Sequence, residues 1–311
     1  MHALYAQNSI LWEGQNMRKE YKVTTPTQGE ISIKIEKHSK FEITGLNTEQ
    51  DANRALMIWK MYKNYRSNDV VVRSGSGLCG VYRFDPKHPL KTDYVESDTL
   101  HSTTVEELAR NIFRYYPTLF YPSEQERVIN LLRYHDLGET VDNPDDGSKD
   151  KDEKFEEELA TFIEKTSPLR LNNQMQLIQD FIIFENAGTD YWTYNDCNIM
   201  QFAKLCDKTD APLGALLYEL QDRPGSLLFK KEHFGGITGQ DQKYADEIGE
   251  FSQAGIWTAH MIDTYLYYRD IELFIEILVE ACKDVRGYVF PWMYEFCKKR
   301  GISQDLLDLM A

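Results

Sequence analysis

Residues 123–139 read SEQERVINLLRYHDLGE, and apolar residues recur in this stretch at helical spacing. The apolar side chains that share one face are Val128, Leu131 and Leu132. Their spacing predicts a helix over 123–138 whose apolar face packs into a core. The same face continues at His135, Asp136 is next to it, and Glu139 follows one turn later. Because an imidazole and a carboxylate end the buried face, this helix is a candidate for chemistry as well as for packing.

Segments with helical periodicity fill the chain beyond about residue 84. The predicted helices span 101–116, 123–138, 152–165, 172–187, 196–221, 242–283 and 289–309. Prolines and an Arg-Pro-Gly turn separate several of them. We therefore expect a mainly α fold in which residues 85–311 form an all-helical bundle with a C-terminal helical extension.

The first 84 residues have a different pattern. Residues 20–45 alternate apolar and polar side chains around a glycine-containing turn, which predicts two or three short strands. Residues 48–65 follow with a helical face of Ala55, Trp59 and Tyr62, and residues 69–84 resemble a hairpin around SGSG. We expect a small α+β lobe over 1–84.

Two other predicted helices also place a polar side chain on an apolar face. His101 lies four residues before Val105, and Asp207 continues the face of Ile199 and Ala203. Buried polar and charged groups are costly without a partner. Taken singly, His101 could be a hydrogen-bonded core histidine, and Asp207 could pair with a nearby lysine.

The recurrence of this feature on three helices favours a shared metal site. Its ligands would be His101, His135, Asp136 and Asp207. Imidazole nitrogens and carboxylate oxygens together suit Mn²⁺, Fe²⁺, Co²⁺, Ni²⁺, Mg²⁺ or Zn²⁺, with positions left open for water. The sequence therefore predicts a divalent metal cofactor, bound in a site that keeps positions open for water as catalytic metal sites do.

Composition excludes several other classes of function. The net charge of −15 and the pI near 5.0 disfavour binding to long nucleic acid. No apolar run approaches the length of a membrane span, so we expect no membrane partner. The five cysteines form no CxxC pair and suggest reduced thiols in a cytoplasmic protein.

Three segments carry a resemblance to a known family. Residues 131–160, LLRYHDLGETVDNPDDGSKDKDEKFEEELA, resemble the central motif of HD-domain metal-dependent phosphohydrolases, and are closest to the HDxxE branch that acts on nucleoside 5′-monophosphates. Residues 95–109, VESDTLHSTTVEELA, resemble the first-histidine motif, and 202–211, FAKLCDKTDA, resemble its K-x-x-D-K helix. The resemblance covers about residues 80–222, and residues 1–80 have no counterpart in it.

The resemblance implies roles for individual residues. It assigns the metal ligands to the same four side chains, and it makes Glu139 the acid/base group. The alternative for Glu139 is a surface carboxylate near a helix C-terminus. Arg83, which Phe84 follows, resembles the arginine of the family's Arg-Trp pair ahead of the first histidine, with a few residues inserted between, and is a candidate to bind the phosphate. Asp145 lies close to the position at which the family has an acidic residue that contacts the sugar, and Asp142 and Asp146 are alternatives for that role. A phosphorylated substrate also needs positive side chains, and Lys204, Lys208 and Lys149 are further candidates to bind it close to the motifs.

The expected function is hydrolysis of a small phosphorylated substrate, with a nucleoside or deoxynucleoside 5′-monophosphate as the leading candidate. Nucleoside triphosphate and alarmone hydrolysis are the alternatives within the superfamily. Alarmone hydrolases show HDxxED, whereas Thr140 follows Glu139 here. A metal-stabilised nucleotide-sensing module is an alternative from another class. The sequence leaves the oligomeric state open, including a homo-oligomer.

Overall fold

The computed structural model describes residues 18–25, 29–36, 48–68, 98–138, 151–169, 171, 173–185, 198–220, 239–267 and 272–311. Within these ranges the chain forms eleven α-helices and one two-stranded sheet, which confirms the predicted mainly α fold. The strands are β1 (Arg18–Thr25) and β2 (Gly29–Glu36). The helices are α1 (Thr48–Asn68), α2 (Asp98–Tyr115), α3 (Pro122–Tyr134), α4 (Lys151–Thr166), α5 (Gln174–Glu185), α6 (Asn198–Leu220), α7 (Gly239–Ile248), α8 (Gln253–Tyr267), α9 (Glu272–Arg286), α10 (Met293–Lys299) and α11 (Gln304–Met310).

The two strands form an antiparallel hairpin that lies against the helices. Val23 faces Ile31 across the ladder, and Gly29 enters β2 in the left-handed conformation that suits glycine, at a φ of 72°. Val23 and Ile33 are buried where β1 contacts α4 and β2 contacts α5. The predicted strands within 20–45 are thus present as one hairpin in the described residues. The predicted hairpin at 69–84 lies outside them.

Helix α1 packs against the bundle through the face that the sequence predicted. Ala55, Trp59 and Tyr62 are buried together with Ile58, and the helix contacts α2 and α9. Trp59 also donates a hydrogen bond from Nε1 to Asp284 Oδ2 of α9 at 2.9 Å. An element from the first 84 residues is therefore part of the same core as helices from the rest of the chain. The division of the chain near residue 84 stays a prediction.

Helix α6 lies at the centre of the bundle. It contacts α2, α3, α5, α8 and α9. Its Phe202 is fully buried between aromatic rings from three directions, with ring centroids 5.2 Å from Phe113, 5.3 Å from Phe120 and 5.6 Å from Phe274. Aromatic pairs at such distances add to the stabilisation that apolar burial provides. The side chains that α6 carries are therefore held on a rigid element.

The predicted helix 242–283 is wrong as a single element, because the chain there forms α7, α8 and α9. Gly249, at a φ of 68°, ends α7 in the left-handed conformation, and its N–H donates to Ala245 O at 2.9 Å. Ser252 Oγ then accepts from Gly255 N–H at 3.0 Å at the start of α8. The apolar periodicity continues across this break, so periodicity alone does not indicate the turn.

Two other predicted helices are also divided. The helix predicted over 289–309 is two helices, since Gly301 follows α10 at a φ of 74° and Ser303 caps α11. The helix predicted over 123–138 ends at Tyr134 and continues as a 3₁₀ turn over His135–Gly138. A Cβ at Gly138 would lie 2.9 Å from the backbone oxygen of Glu158. Glycine therefore permits this turn to approach the backbone of α4.

No helix in the described part of the chain combines the length and apolar character needed to cross a membrane.

A carboxylate clamp connects α2 to α3. Glu106 accepts hydrogen bonds from Arg133 Nη2 at 2.6 Å and Nε at 2.9 Å, and from Arg110 Nε at 2.9 Å. Burial raises the pKa of Glu106, but the two guanidinium groups outweigh it and hold this pKa below its ordinary value. The clamp joins the helix that begins near His101 to the helix that leads into His135.

Glu106→Gln is expected to lower the free energy of unfolding at pH 7 by about 1.5–3 kcal/mol, the range for hydrogen bonds to charged groups. Because the pKa of Glu106 is lower in the folded state, its contribution is present above the ordinary glutamate pKa and is lost as the pH falls through the folded value. The difference from wild type should thus shrink at pH 3. Urea unfolding at both pH values checks this, with Glu107→Gln as the control. An equal difference at both pH values would contradict the assignment.

Candidate metal site

His101 lies in the first turn of α2 and is held at both ring nitrogens. Its Nδ1 lies 2.8 Å from Asp210 Oδ2, and its Nε2 lies 2.9 Å from Asp207 Oδ1. The side chain is almost fully buried. Because a carboxylate only accepts, Nδ1 carries hydrogen toward Asp210. The ring orientation is therefore fixed, with Nε2 on the side of Asp207.

His135 opens the 3₁₀ turn after α3. Its Nδ1 donates to the carbonyl oxygen of Leu132 at 2.8 Å, so the neutral ring has its lone pair on Nε2. That Nε2 lies 3.0 Å from Asp136 Oδ1 and 3.6 Å from Asp207 Oδ1. It is buried, yet it makes no hydrogen bond with any described residue. A buried polar atom in this state is exceptional and indicates a missing partner.

Asp207 provides the buried negative charge of the site. Its Oδ2 lies 3.6 Å from both Lys204 Nζ and Lys208 Nζ. Burial raises the pKa of Asp207, but Lys208, Lys204 and the hydrogen bond from His101 outweigh burial and hold this pKa well below its usual range. The carboxyl group is consequently ionised near neutral pH and available as a ligand.

Asp136 flanks the other three side chains. Its Oδ2 accepts a hydrogen bond from Ser102 Oγ at 3.2 Å and lies 3.9 Å from His101 Nε2. One ligand atom each from His101, His135 and Asp207 lies within 4.8 Å of the others. The structure thus brings together all four side chains that the sequence suggested as ligands, from α2, the 3₁₀ turn and α6.

This set of donors fits a divalent cation. Two imidazole nitrogens and two carboxylates converge, and their oxygens and nitrogens belong to the classes that first-row divalent metals bind. The unsatisfied Nε2 of His135 points to the same conclusion, because a cation would give this lone pair the partner that no described residue provides.

The chain matches no family model, no curated protein and no solved structure. The candidate site is identified by its geometry and by the motifs in the sequence.

The two lysines that the sequence suggested for substrate binding have different surroundings. Lys204 Nζ lies 3.5 Å from Glu185 Oε1 and 3.9 Å from the centroid of the Phe184 ring. Burial lowers the pKa of Lys204, but Glu185 and Asp207 outweigh it and raise this pKa above its usual value. The side chain of Lys208, in contrast, is 44% exposed. Lys204 therefore compensates the negative charges of Glu185 and Asp207, whereas Lys208 remains accessible beside Asp207.

Several predicted site residues lie outside the described residues. These are Arg83, Glu139, Asp142, Asp145, Asp146 and Lys149.

A second layer around His101 was not predicted. Asp210, one helical turn after Asp207, is fully buried and also bonds to Tyr62 and Arg66 of α1. The signal for Asp210 was its three-residue spacing from Asp207, which places both carboxylates on one face of α6. No signal of that kind existed for Arg66, because its partner is 144 residues away in the chain.

Side chains outside the candidate metal site that could also take part in chemistry have structural roles. Asp263 accepts hydrogen bonds from Tyr244 and Arg300, and the His260 ring stacks on Tyr244 with ring centroids 5.5 Å apart. Cys206 precedes Asp207 but points into the core. Burial and the charge of Asp207 raise the pKa of the Cys206 thiol well above its usual value, so this cysteine is not a nucleophile at neutral pH.

Proposed function

We propose that this protein is a metal-dependent phosphohydrolase of the HD type, and that its substrate is a nucleoside or deoxynucleoside 5′-monophosphate. One observation carries the proposal. Imidazoles and carboxylates from three separate elements converge in the chain order H, HD, D, and the buried Nε2 of His135 makes no hydrogen bond with the described residues. The resemblance of residues 131–160 to the HDxxE motif supports this choice of reaction.

His101, His135, Asp136 and Asp207 would hold the cation. A bound divalent ion supplies Lewis acidity and lowers the pKa of water toward neutrality, which makes hydroxide available as a nucleophile. The side chains of the site contribute orientation and charge. Leu132 O and Asp210 Oδ2 fix the two imidazole rings through Nδ1, and Asp207 stays ionised beside Lys204 and Lys208.

Lys208 is the described side chain best placed to meet a phosphate group. The chain carries a net charge of −15, so a phosphorylated substrate needs local positive charge at the site. Lys208 is next to a ligand and partly exposed, whereas Lys204 is enclosed by Glu185 and Phe184. We propose that Glu139, which follows the 3₁₀ turn in the chain, donates the proton to the leaving oxygen.

Lys208→Met is expected to raise KM for the monophosphate about tenfold, since a hydrogen bond between charged groups contributes about 1.5 kcal/mol or more. Steady-state kinetics at a fixed metal concentration measure the effect. Lys165→Met is a control for loss of a lysine elsewhere on the bundle. An unchanged KM in Lys208→Met would exclude the contact with phosphate.

A panel of substrates tests the proposed reaction. The purified protein is incubated with Mn²⁺, Co²⁺ or Mg²⁺ and with nucleoside mono- and triphosphates, and orthophosphate, pyrophosphate and triphosphate are measured. Orthophosphate from the monophosphates is the expected result. Release of pyrophosphate or triphosphate would identify a triphosphohydrolase instead. Nucleotide binding without turnover under any metal would identify a sensing module and overturn the catalytic proposal.

A further inference from the structure

We propose that helix α1 completes the metal site through a positioning network, in which Arg66 and Tyr62 hold Asp210 and Asp210 orients His101. This inference rests on the proposed function, because it gives these residues a role in binding its metal. It assigns a task to part of the first 80 residues, for which the family resemblance offers no counterpart.

Asp210 is the centre of the network. Its side chain is fully buried, and its Oδ2 accepts from His101 Nδ1 at 2.8 Å. A metal-binding histidine typically gives its second ring nitrogen to a carboxylate or carbonyl in this way, which fixes the tautomer and leaves the other nitrogen to the metal. Asp210 thereby holds the His101 ring so that Nε2 lies on the side of Asp207, 2.9 Å from its Oδ1.

The other oxygen of Asp210 is held by helix α1. Arg66 Nη1 lies 2.5 Å from Asp210 Oδ1, and Tyr62 Oη donates to the same oxygen at 2.6 Å. Arg66 Nη1 is also 3.2 Å from Tyr62 Oη. Arg66 is itself buried. A fully buried carboxylate is costly without such hydrogen-bond and ion-pair partners. The position of the carboxylate that orients His101 therefore depends on α1.

On α6, a glycine lies against the guanidinium group of Arg66. Gly214 lies one turn after Asp210 on α6, and a Cβ there would come 3.0 Å from Arg66 Nη2 and 3.2 Å from its Cζ. Distances of this kind require the neighbouring group to shift. Glycine at this position therefore leaves space for Arg66 between α1 and α6.

The described residues contain a second ion pair suited to a matched control. Arg127 of α3 binds Asp180 of α5 through Nη2 at 2.6 Å and Nε at 3.1 Å, and Asp180 is fully buried like Asp210. Loss of either arginine would leave a buried carboxylate without its guanidinium partner. The Arg127–Asp180 pair joins α3 to α5, whereas the Arg66–Asp210 pair joins α1 to α6 beside His101, so only loss of Arg66 is expected to affect the metal.

The test is a titration of the full-length protein with Co²⁺, followed by visible absorption. Asp210→Asn is expected to weaken Co²⁺ binding about 10–100-fold and to alter the ligand-field spectrum, as changes to outer partners of metal ligands do. Arg66→Met should weaken it about tenfold, and Tyr62→Phe, the mildest change, about threefold. Arg66→Lys should restore most of the affinity by returning the positive charge. Arg127→Met should keep the wild-type Kd and spectrum.

Circular dichroism and thermal unfolding establish which variants are folded. A folded Asp210→Asn or Tyr62→Phe protein with the wild-type Kd and spectrum overturns the positioning role. Equal weakening in Arg127→Met also overturns it, because general destabilisation would then explain the loss. A wild-type protein that binds no Co²⁺ overturns both this inference and the proposed function. Co²⁺ binding without phosphate release overturns the proposed reaction alone.

Discussion

Asp207→Asn is expected to abolish binding of divalent cations and, with it, the release of phosphate. Asp207 Oδ1 lies 2.9 Å from His101 Nε2 and 3.6 Å from His135 Nε2, so a single oxygen of Asp207 approaches both imidazoles. Its lowered pKa keeps it charged at neutral pH. Asparagine has nearly the same shape but no charge, and the loss in affinity should exceed the roughly 100-fold seen for changes to outer partners of a ligand.

Calorimetric titration with Mn²⁺ and elemental analysis of the purified variant measure this loss. Asp180→Asn is the matched control, since Asp180 of α5 is also a buried carboxylate that pairs with a cation, Arg127 of α3. The control should lose stability and keep its metal. Retention of wild-type affinity and metal content in a folded Asp207→Asn protein would exclude Asp207 as a ligand.

Phe202→Ala is expected to cause the largest loss of stability, about 3–5 kcal/mol, the range for removing a buried phenylalanine. Phe202 is fully buried, and rings from α2, the segment after α2, and α9 surround it. These rings come from three separate parts of the chain, at residues 113–120, 202 and 274, so the cavity cannot close by the movement of one loop. Urea unfolding of the metal-free protein gives the difference in free energy directly.

Phe251→Ala provides the comparison for Phe202→Ala, because Phe251 is 60% exposed. Surface substitutions usually change stability by no more than about 0.5 kcal/mol. If both alanine variants unfold at the same urea concentration, Phe202 does not hold α6 in the core in the way that its contacts indicate.

Most of the helical architecture was accessible from apolar periodicity, since burial follows one face of each helix. Ala55, Trp59 and Tyr62 illustrate this, because their spacing predicted a buried face and all three are buried. The breaks at Gly249 and Gly301 were not accessible in this way. Each depends on a left-handed φ at one residue, whereas the apolar pattern on either side continues as if the helix were unbroken.

The candidate ligands were suggested because each lies at the end or along the extension of an apolar face. Apolar periodicity is read along one helix at a time, and it locates the side chains that point into the core. The contact of Arg66 with Asp210 depends instead on how α1 and α6 pack against each other. Local periodicity contains no information on that register, and an arginine in the last turn of a helix is ordinarily a surface residue.

The placement of Asp207, Asp210 and Gly214 on one helix has a consequence for how this protein can diverge. Inserting one residue into α6 between Asp207 and Asp210 would turn the second carboxylate by about 100° around the helix axis and away from His101. Loops between helices carry no such restriction, because changes in their length leave the angular order within α6 intact. Homologous chains that retain the site should therefore vary in the number of residues between His135 and Asp207 but keep the spacing of 207, 210 and 214 unchanged.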